Sequence, residues 1–160
     1  MSLESKNAPG QGAAFVVAQL GLLALIALGP RQLGPEWTAP WAALAAAAGV
    51  ALGLAGASLT LAGALHLGRN LTPFPRPRED AILIRSGAYR LVRHPIYSGL
   101  ILAAFGWALF VGGVLTLLYA LALLVLMDAK TRHEERWLIA KFEEYGDYKR
   151  RVRRLIPYLY

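Results

Sequence analysis

The residues best able to do chemistry gather in two places. One is the run 87–99, which carries Tyr89, Arg90, Arg93, His94, Pro95 and Tyr97 and opens a long apolar segment. The other is Glu134-Glu135, beyond the far end of that segment. Pro95 suits the first turn of a helix, where its missing N–H costs nothing. His94 would then stand at a helix N-terminus, which favours an anionic ligand group such as a carboxylate. Glu134 could accept hydrogen bonds from an amine or from ribose hydroxyls. Tyr89 and Tyr97 could stack on a base or cap a pocket. Arg90, Arg93, Lys130 and Arg132 bring positive charge for an anionic substrate. A plainer reading competes: a helix start at a membrane interface with no ligand, and Glu134-Glu135 paired with Arg132 and Arg136 on a solvated helix surface, where such pairs contribute little.

For the two clusters to meet, the chain between them must fold back. Residues 94–127 contain no Asp, Glu, Lys or Arg. As one helix they would run about 50 Å, against a bilayer core of roughly 30 Å. Gly112-Gly113 near the middle marks a turn. The expectation is a helical hairpin, about 27 Å out and about 32 Å back, that returns Glu134 to the side of His94. Lys and Arg crowd both flanks, in residues 69–93 and from 130 onward. With both flanks cytoplasmic, the segment between them crosses an even number of times.

The composition fits that setting. Of 160 residues, 56% are hydrophobic and 17% charged, below the roughly 25% charge of a soluble domain; the mean hydropathy is +0.43. Cysteine is absent, which excludes disulfides, thiolate zinc sites and cysteine nucleophiles, and no metal site is expected. The net charge of +7 reads as cytoplasmic loops against anionic lipid headgroups rather than as nucleic-acid binding.

Residues 1–12 read as a polar, mobile tail and 13–160 as a single membrane domain. Residues 13–28 form a first helix, slightly short of the roughly 20 residues a span needs. A signal peptide is the competing reading, disfavoured because the bundle needs this helix and Pro30 is a simple stop. Residues 31–36, with one Arg, form an outside loop. Residues 37–68 form a second helix, with Trp37 and Trp41 at the interface. Its Gly49, Gly53, Gly56 and Ala57 allow close helix approach, within the chain before between chains. His66 near its end faces water or headgroups. The basic loop 69–93 holds Pro73, Pro75 and Pro77, and the apolar run Ala81, Ile82, Leu83, Ile84 is a strand, a membrane-surface patch or a pocket wall. Leu138, Phe142 and Tyr145, at i, i+4 and i+7, predict that helix four runs out of the membrane into an amphipathic surface helix. Residues 149–154 form a basic run against headgroups. The expected fold is therefore all-α: a polytopic membrane protein of about four transmembrane helices, the last two a hairpin, with a cytoplasmic amphipathic C-terminal helix and both termini cytoplasmic.

Run 87–99 resembles the G-x-Y-x-x-x-R-H-P-x-Y-x-G signature of the isoprenylcysteine carboxyl methyltransferase family and its phospholipid methyltransferase relatives. Glu134-Glu135, Leu138, Phe142, Tyr145, Tyr148, Arg151-Val152 and Pro157 resemble that family's C-terminal motif. The usual Gly after Phe142 is missing and that loop is one residue shorter. The two motifs cover roughly residues 69–157. The resemblance implies an integral membrane enzyme that uses S-adenosyl-L-methionine without a Rossmann domain, and the chain has no G-x-G-x-x-G loop. It implies a cofactor pocket at the cytoplasmic membrane face, walled by the backbone of Ala81, Ile82, Leu83 and Ile84, then by Tyr89, His94, Pro95, Ile96 and Tyr97, and completed by Glu134. The family often has an arginine one turn before that glutamate, near the substrate carboxylate. Here the position is Lys130, and Lys130, Arg132 and Arg93 are the expected substrate-binding residues. A lipophilic acceptor would enter from the bilayer and the cofactor from the cytoplasm.

Two other functions compete. Sterol-type membrane reductases share a related C-terminal bundle and bind NADPH; this chain is short for one and shows no obvious residue set for a 2′-phosphate. A non-catalytic membrane scaffold, associating through the glycine-rich helix, predicts that Tyr89, His94 and Glu134 can be replaced without losing a ligand.

Overall fold

A computed structural model describes residues 10–33, 37–75, 77, 79–157 and 159–160. Among them the fold is all-helical: α1 Gly10–Leu28, α2 Trp41–Leu67, α3 Pro95–Phe110, α4 Val114–Lys141 and α5 Tyr145–Arg151, with single 3-10 turns at Gly68–Asn70 and Gly87–Arg90. The β-type pairing among the described residues is one isolated parallel bridge, Val92 with Arg153. The expected tail lies outside the described residues as far as residue 9, and residues 10–12 already belong to α1.

α2 and α4 are long and apolar enough to cross a membrane, and α1 and α3 are shorter apolar helices. Large apolar side chains stand open on the outer surface of the bundle, among them Leu28, Leu54, Leu65 and Val125. Apolar surface on this scale suits lipid rather than water. The inner core is compact: Ile26, Ile101, Ala104, Ala120, Leu123, Met127 and Leu155.

Lipid gives helices little reason to associate except tight packing, and α2 meets α3 through glycine. Gly49, Gly56 and Gly63 recur every seven residues on the buried face of α2. A Cβ on Gly56 would come within 2.5 Å of the Gly99 oxygen and the Ala103 nitrogen. Gly49, Gly56 and Gly63 therefore pack within the chain, against α3.

The long apolar segment does fold back. α3 ends at Phe110, α4 starts at Val114, and Gly112 turns the chain at φ +60°, a left-handed conformation that glycine adopts without strain. Gln32 Nε2 donates to the Gly112 carbonyl at 2.7 Å, and the Leu115 N–H bonds to the Arg31 carbonyl. The α1–α2 loop thus braces the hairpin turn.

The stripe of Leu138, Phe142 and Tyr145 is not one helical face, which corrects the expectation for the end of helix four. α4 stops at Lys141, Phe142 is extended (φ −121°, ψ 111°), and α5 starts afresh at Tyr145. The three side chains still converge, because all line the same cavity. After α5 the chain runs back along the start of α3. The Arg93 N–H bonds to the Arg153 carbonyl at 2.8 Å, the His94 N–H to the Arg154 carbonyl at 3.2 Å, and Ser98 Oγ to the Leu155 carbonyl at 2.7 Å.

Candidate functional site

The hairpin brings the two charged clusters together at one end of the bundle. His94 precedes α3 and Pro95 is its first residue. Tyr97 lies just inside α3, and its hydroxyl donates to Glu134 Oε2 of α4 at 2.9 Å. The His94 and Tyr97 rings stack at 5.7 Å and 10°. His94 Nδ1 lies 3.9 Å from Glu134 Oε2 and His94 Nε2 lies 3.4 Å from Glu135 Oε1. The second contact is off the hydrogen-bond line, since buried Nε2 makes no hydrogen bond.

The two glutamates, adjacent in sequence, differ in environment. Glu135 is 2% exposed. Its Oε1 accepts from Arg93 Nε at 2.8 Å and Nη2 at 2.6 Å. Its Oε2 lies 3.3 Å from both Lys149 Nζ and Arg154 Nη2. Arg93 is engaged on its other side as well, donating through Nη1 to the Lys149 and Val152 carbonyls. Glu135 is thus the hub that ties α4 to the start of α3, to α5 and to the returning chain. Glu134 carries the lighter set of bonds and faces the cavity.

That cavity, of about 340 Å³, is walled by Ala81, Ile82, Leu83, Ile84, Tyr89, His94, Ile96, Tyr97 and Glu134. Pro95 is buried beside it and does not line it. Residues 81–84 lie outside any helix, and the Asn70 side chain bonds both the N–H and the carbonyl of Ile82, at 3.3 and 3.2 Å. The apolar run is a pocket wall held by an asparagine. Of the three basic residues expected at the substrate, Lys130 and Arg93 line the cavity. Arg132 lies outside it on the surface, bonded to Asp128 at 2.7 Å and to the Tyr160 hydroxyl.

Several lining residues carry no signal in the sequence. Gln19 sits on the inward stripe of α1 with Phe15, Leu22 and Ile26 and accepts from Lys130 Nζ at 2.7 Å. Lys130, 1% exposed, also donates to the Pro73 carbonyl at 3.0 Å and lies 5.0 Å from the centre of the Tyr97 ring. It forms no ion pair with any other described residue. Leu67, Thr72, Phe74 and Pro77 close one side, and Phe142, Tyr145 and Tyr148 the other. Burial first, then the Glu134 carboxylate, pushes the Tyr89 phenol well above its ordinary range. Burial does the same at Tyr148, whose hydroxyl donates to the Tyr89 carbonyl at 2.6 Å. Both phenols stay neutral, and that of Tyr148 acts as a donor.

The arrangement is of a size to hold a small molecule, apolar in most of its wall, with acid, amine, imidazole and phenol groups converging on it. Among the described residues no group of three or more His, Cys, Asp or Glu could hold a metal ion. Residues 44–145, more than half of the chain, match the family model described as phospholipid methyltransferase. Over 139 residues the chain is 29% identical to the cobalt-zinc-cadmium resistance protein CzcN of Cupriavidus metallidurans, covering 86% of this chain and 59% of that protein. It is 35% identical over 81 residues to the protein-S-isoprenylcysteine O-methyltransferase of Schizosaccharomyces pombe, covering 49% of this chain and 34% of that protein. It is 41% identical over 73 residues to methanethiol S-methyltransferase 2 of Bradyrhizobium diazoefficiens, covering 45% and 27%. The chain thus spans between 27% and 59% of the length of these relatives.

Proposed function

Because the chain belongs to the phospholipid methyltransferase family, we propose that it is an integral membrane methyltransferase that uses S-adenosyl-L-methionine on a lipophilic acceptor. The observation that carries this reading is the cavity gathering His94, Tyr97 and Glu134 inside the family-matched segment. The residues fit such a ligand. His94 lines the cavity beside Glu134, and its buried Nε2, 3.4 Å from Glu135 Oε1, makes no hydrogen bond within the protein, a cost that a well-placed ligand can offset. Residues 13–160 act as one unit, with four membrane spans, both termini in the cytoplasm, α5 on the membrane surface and the cavity at the cytoplasmic face. The clustering of Lys and Arg at that end supports the orientation.

When bound, the donor supplies an electrophilic methyl group on a sulfonium. His94 and Glu134 orient it, with Tyr97 holding the Glu134 carboxylate in place. The backbone and side chains of residues 81–84, Tyr89 and Ile96 wall it from water. Pro95 fixes the start of α3 behind them. Lys130 lies one helical turn, about 6 Å, deeper along α4 than Glu134, so an acceptor arriving from the lipid meets it first. The buried ammonium of Lys130, which makes no close ion pair among the described residues, favours an anionic acceptor atom. A carboxylate acceptor is itself the nucleophile and has no proton to lose, so it needs no base; a thiol must first lose its proton, and Glu134, on the cavity wall, is the carboxylate placed to take it. Arg93, bound up with Glu135, holds the cavity wall rather than substrate, and Arg132 serves the surface. Two relatives, by name, methylate a prenylated protein cysteine and methanethiol; a carboxylate or thiolate acceptor accords with both.

Methyl transfer from labelled S-adenosylmethionine to a panel of carboxylate, thiol and amine acceptors tests the reading. Transfer to at least one supports it. NADPH binding in place of S-adenosylhomocysteine would point to a reductase instead.

A further inference from the structure

Among the described residues, five buried side-chain polar atoms have no hydrogen-bond partner: those of Gln32, Thr60 and Thr116, His94 Nε2 and the Tyr145 hydroxyl. The first three residues do not line the cavity, whereas His94 and Tyr145 do. His94 has a role in the reading above. Tyr145 has none.

The break between α4 and α5 puts Tyr145 where it is. Phe142 leaves helical geometry, the Tyr145 N–H bonds to the Phe142 carbonyl at 3.0 Å, and α5 begins. The Tyr145 ring stands edge-on to Tyr148 at 5.8 Å and 73°. Of these two tyrosines, Tyr148 uses its hydroxyl to hold the Tyr89 carbonyl. Tyr145, 1% exposed, has its hydroxyl left over. Burial pushes this phenol far above its usual range, so the group is a donor in want of an acceptor. An orphan donor in a closed fold costs stability, and a plain phenylalanine would fill the same space.

The charges around it define that acceptor. Glu135, Arg93 and Glu134 act on the Tyr145 hydroxyl, and Arg93 is already engaged by Glu135. Glu135 is also met by Lys149 and Arg154, which leaves the Glu134 carboxylate on the cavity to disfavour an anionic ligand atom there. A neutral acceptor meets no such opposition. Tyr89, Leu138 and Phe142 add flat and apolar wall beside it, the surroundings that suit a base.

We propose that the Tyr145 hydroxyl donates a hydrogen bond to an uncharged acceptor atom on the nucleoside half of the bound methyl donor. The proposal rests on the methyl-donor reading above. It makes Tyr145 a binding residue that selects for the nucleoside rather than for the amino-acid tail.

Tyr145→Phe removes the hydroxyl and keeps the shape. The experiment measures calorimetric affinity of the detergent-purified protein for S-adenosylhomocysteine and for 5′-methylthioadenosine, which lacks the amino-acid carboxylate and amine. It also measures the melting temperature without ligand. The expected result is about tenfold weaker binding of both ligands (about 1.4 kcal/mol), with a ligand-free melting temperature unchanged or raised, because an unsatisfied polar group has gone. Tyr148→Phe is the contrast: it strips the Tyr89 carbonyl of its partner and lowers the ligand-free melting temperature. Unchanged affinity of Tyr145→Phe for both ligands overturns the proposal. So does a loss confined to S-adenosylhomocysteine, which would assign the hydroxyl to the amino-acid tail. A wild-type protein that binds neither ligand would remove the methyl-donor reading itself, an outcome distinct from the other two.

Discussion

Glu135→Ala is the substitution from which the fold should suffer most. Glu135 and Arg93 are 2% and 7% exposed, and two guanidinium nitrogens rest on one carboxylate oxygen at 2.8 and 2.6 Å. Truncating one partner of a buried pair strands the other charge, which costs about 3–5 kcal/mol. For a chain of this size, at about 2–4 °C per kcal/mol, the melting temperature should fall by roughly 6–20 °C. The loss should be local in origin. The Arg93 and His94 backbone bonds to residues 153 and 154 depend on the same guanidinium staying in place, so protease cleavage near the C-terminus should speed up before the bundle melts. Two controls separate charge burial from simple truncation. Arg132→Ala breaks the surface pair with Asp128, whose arginine side chain is 57% exposed, and should leave the melting temperature unchanged. The double variant Arg93→Met, Glu135→Leu removes both charges together and should recover most of the loss, because a buried pair replaced by apolar side chains is often neutral. The assay is thermal unfolding in one fixed detergent. A loss under about 1 kcal/mol for Glu135→Ala, well below the usual range for a broken buried pair, would refute the reasoning. So would a double variant as unstable as the sum of the single ones.

Other outcomes follow from the packing of the site and of the helices. His94→Ala and Glu134→Ala should each weaken S-adenosylhomocysteine binding tenfold or more, about 1.4 kcal/mol, measured by calorimetry. Lys130→Leu should keep that affinity within a few-fold while cutting kcat/KM at least tenfold for carboxylate or thiol acceptors, so turnover and binding must be read on the same preparation. Gly56→Ala drives a methyl group into the α3 backbone at 2.5 Å and should cost about 1–3 kcal/mol of overpacking. Gly53→Ala, with nothing within 4 Å of its new Cβ, should be neutral or slightly stabilising through helix propensity; thermal unfolding distinguishes the two.

The hairpin was legible because the uncharged stretch 94–127 is too long for one crossing and carries glycines at its midpoint. The meeting of His94 with Glu134 follows from that geometry alone. Gly112 indeed takes the positive φ that the turn needs. The C-terminal end was read less well. A spacing of i, i+4, i+7 cannot distinguish one continuous helix from two helices broken at Phe142 when the same side chains converge either way. The Arg93–Glu135 hub joins residues 42 apart, and the bond from Gln19 to Lys130 joins residues 111 apart. Neither leaves a periodic trace. Gln19 looks like a stray amide in an apolar helix until α1 is placed against α4. Arg132 and Lys130 are two residues apart on α4, so one faces the cavity and the other the surface, a difference of helical phase that charge alone does not reveal.

Calorimetric titration of the detergent-purified protein with S-adenosylhomocysteine, with NADPH as the control ligand, tests the central claim most directly. The account predicts saturable micromolar binding of S-adenosylhomocysteine, absent with NADPH and weakened at least tenfold in His94→Ala. A folded protein that binds NADPH instead, or that binds neither ligand, would contradict it.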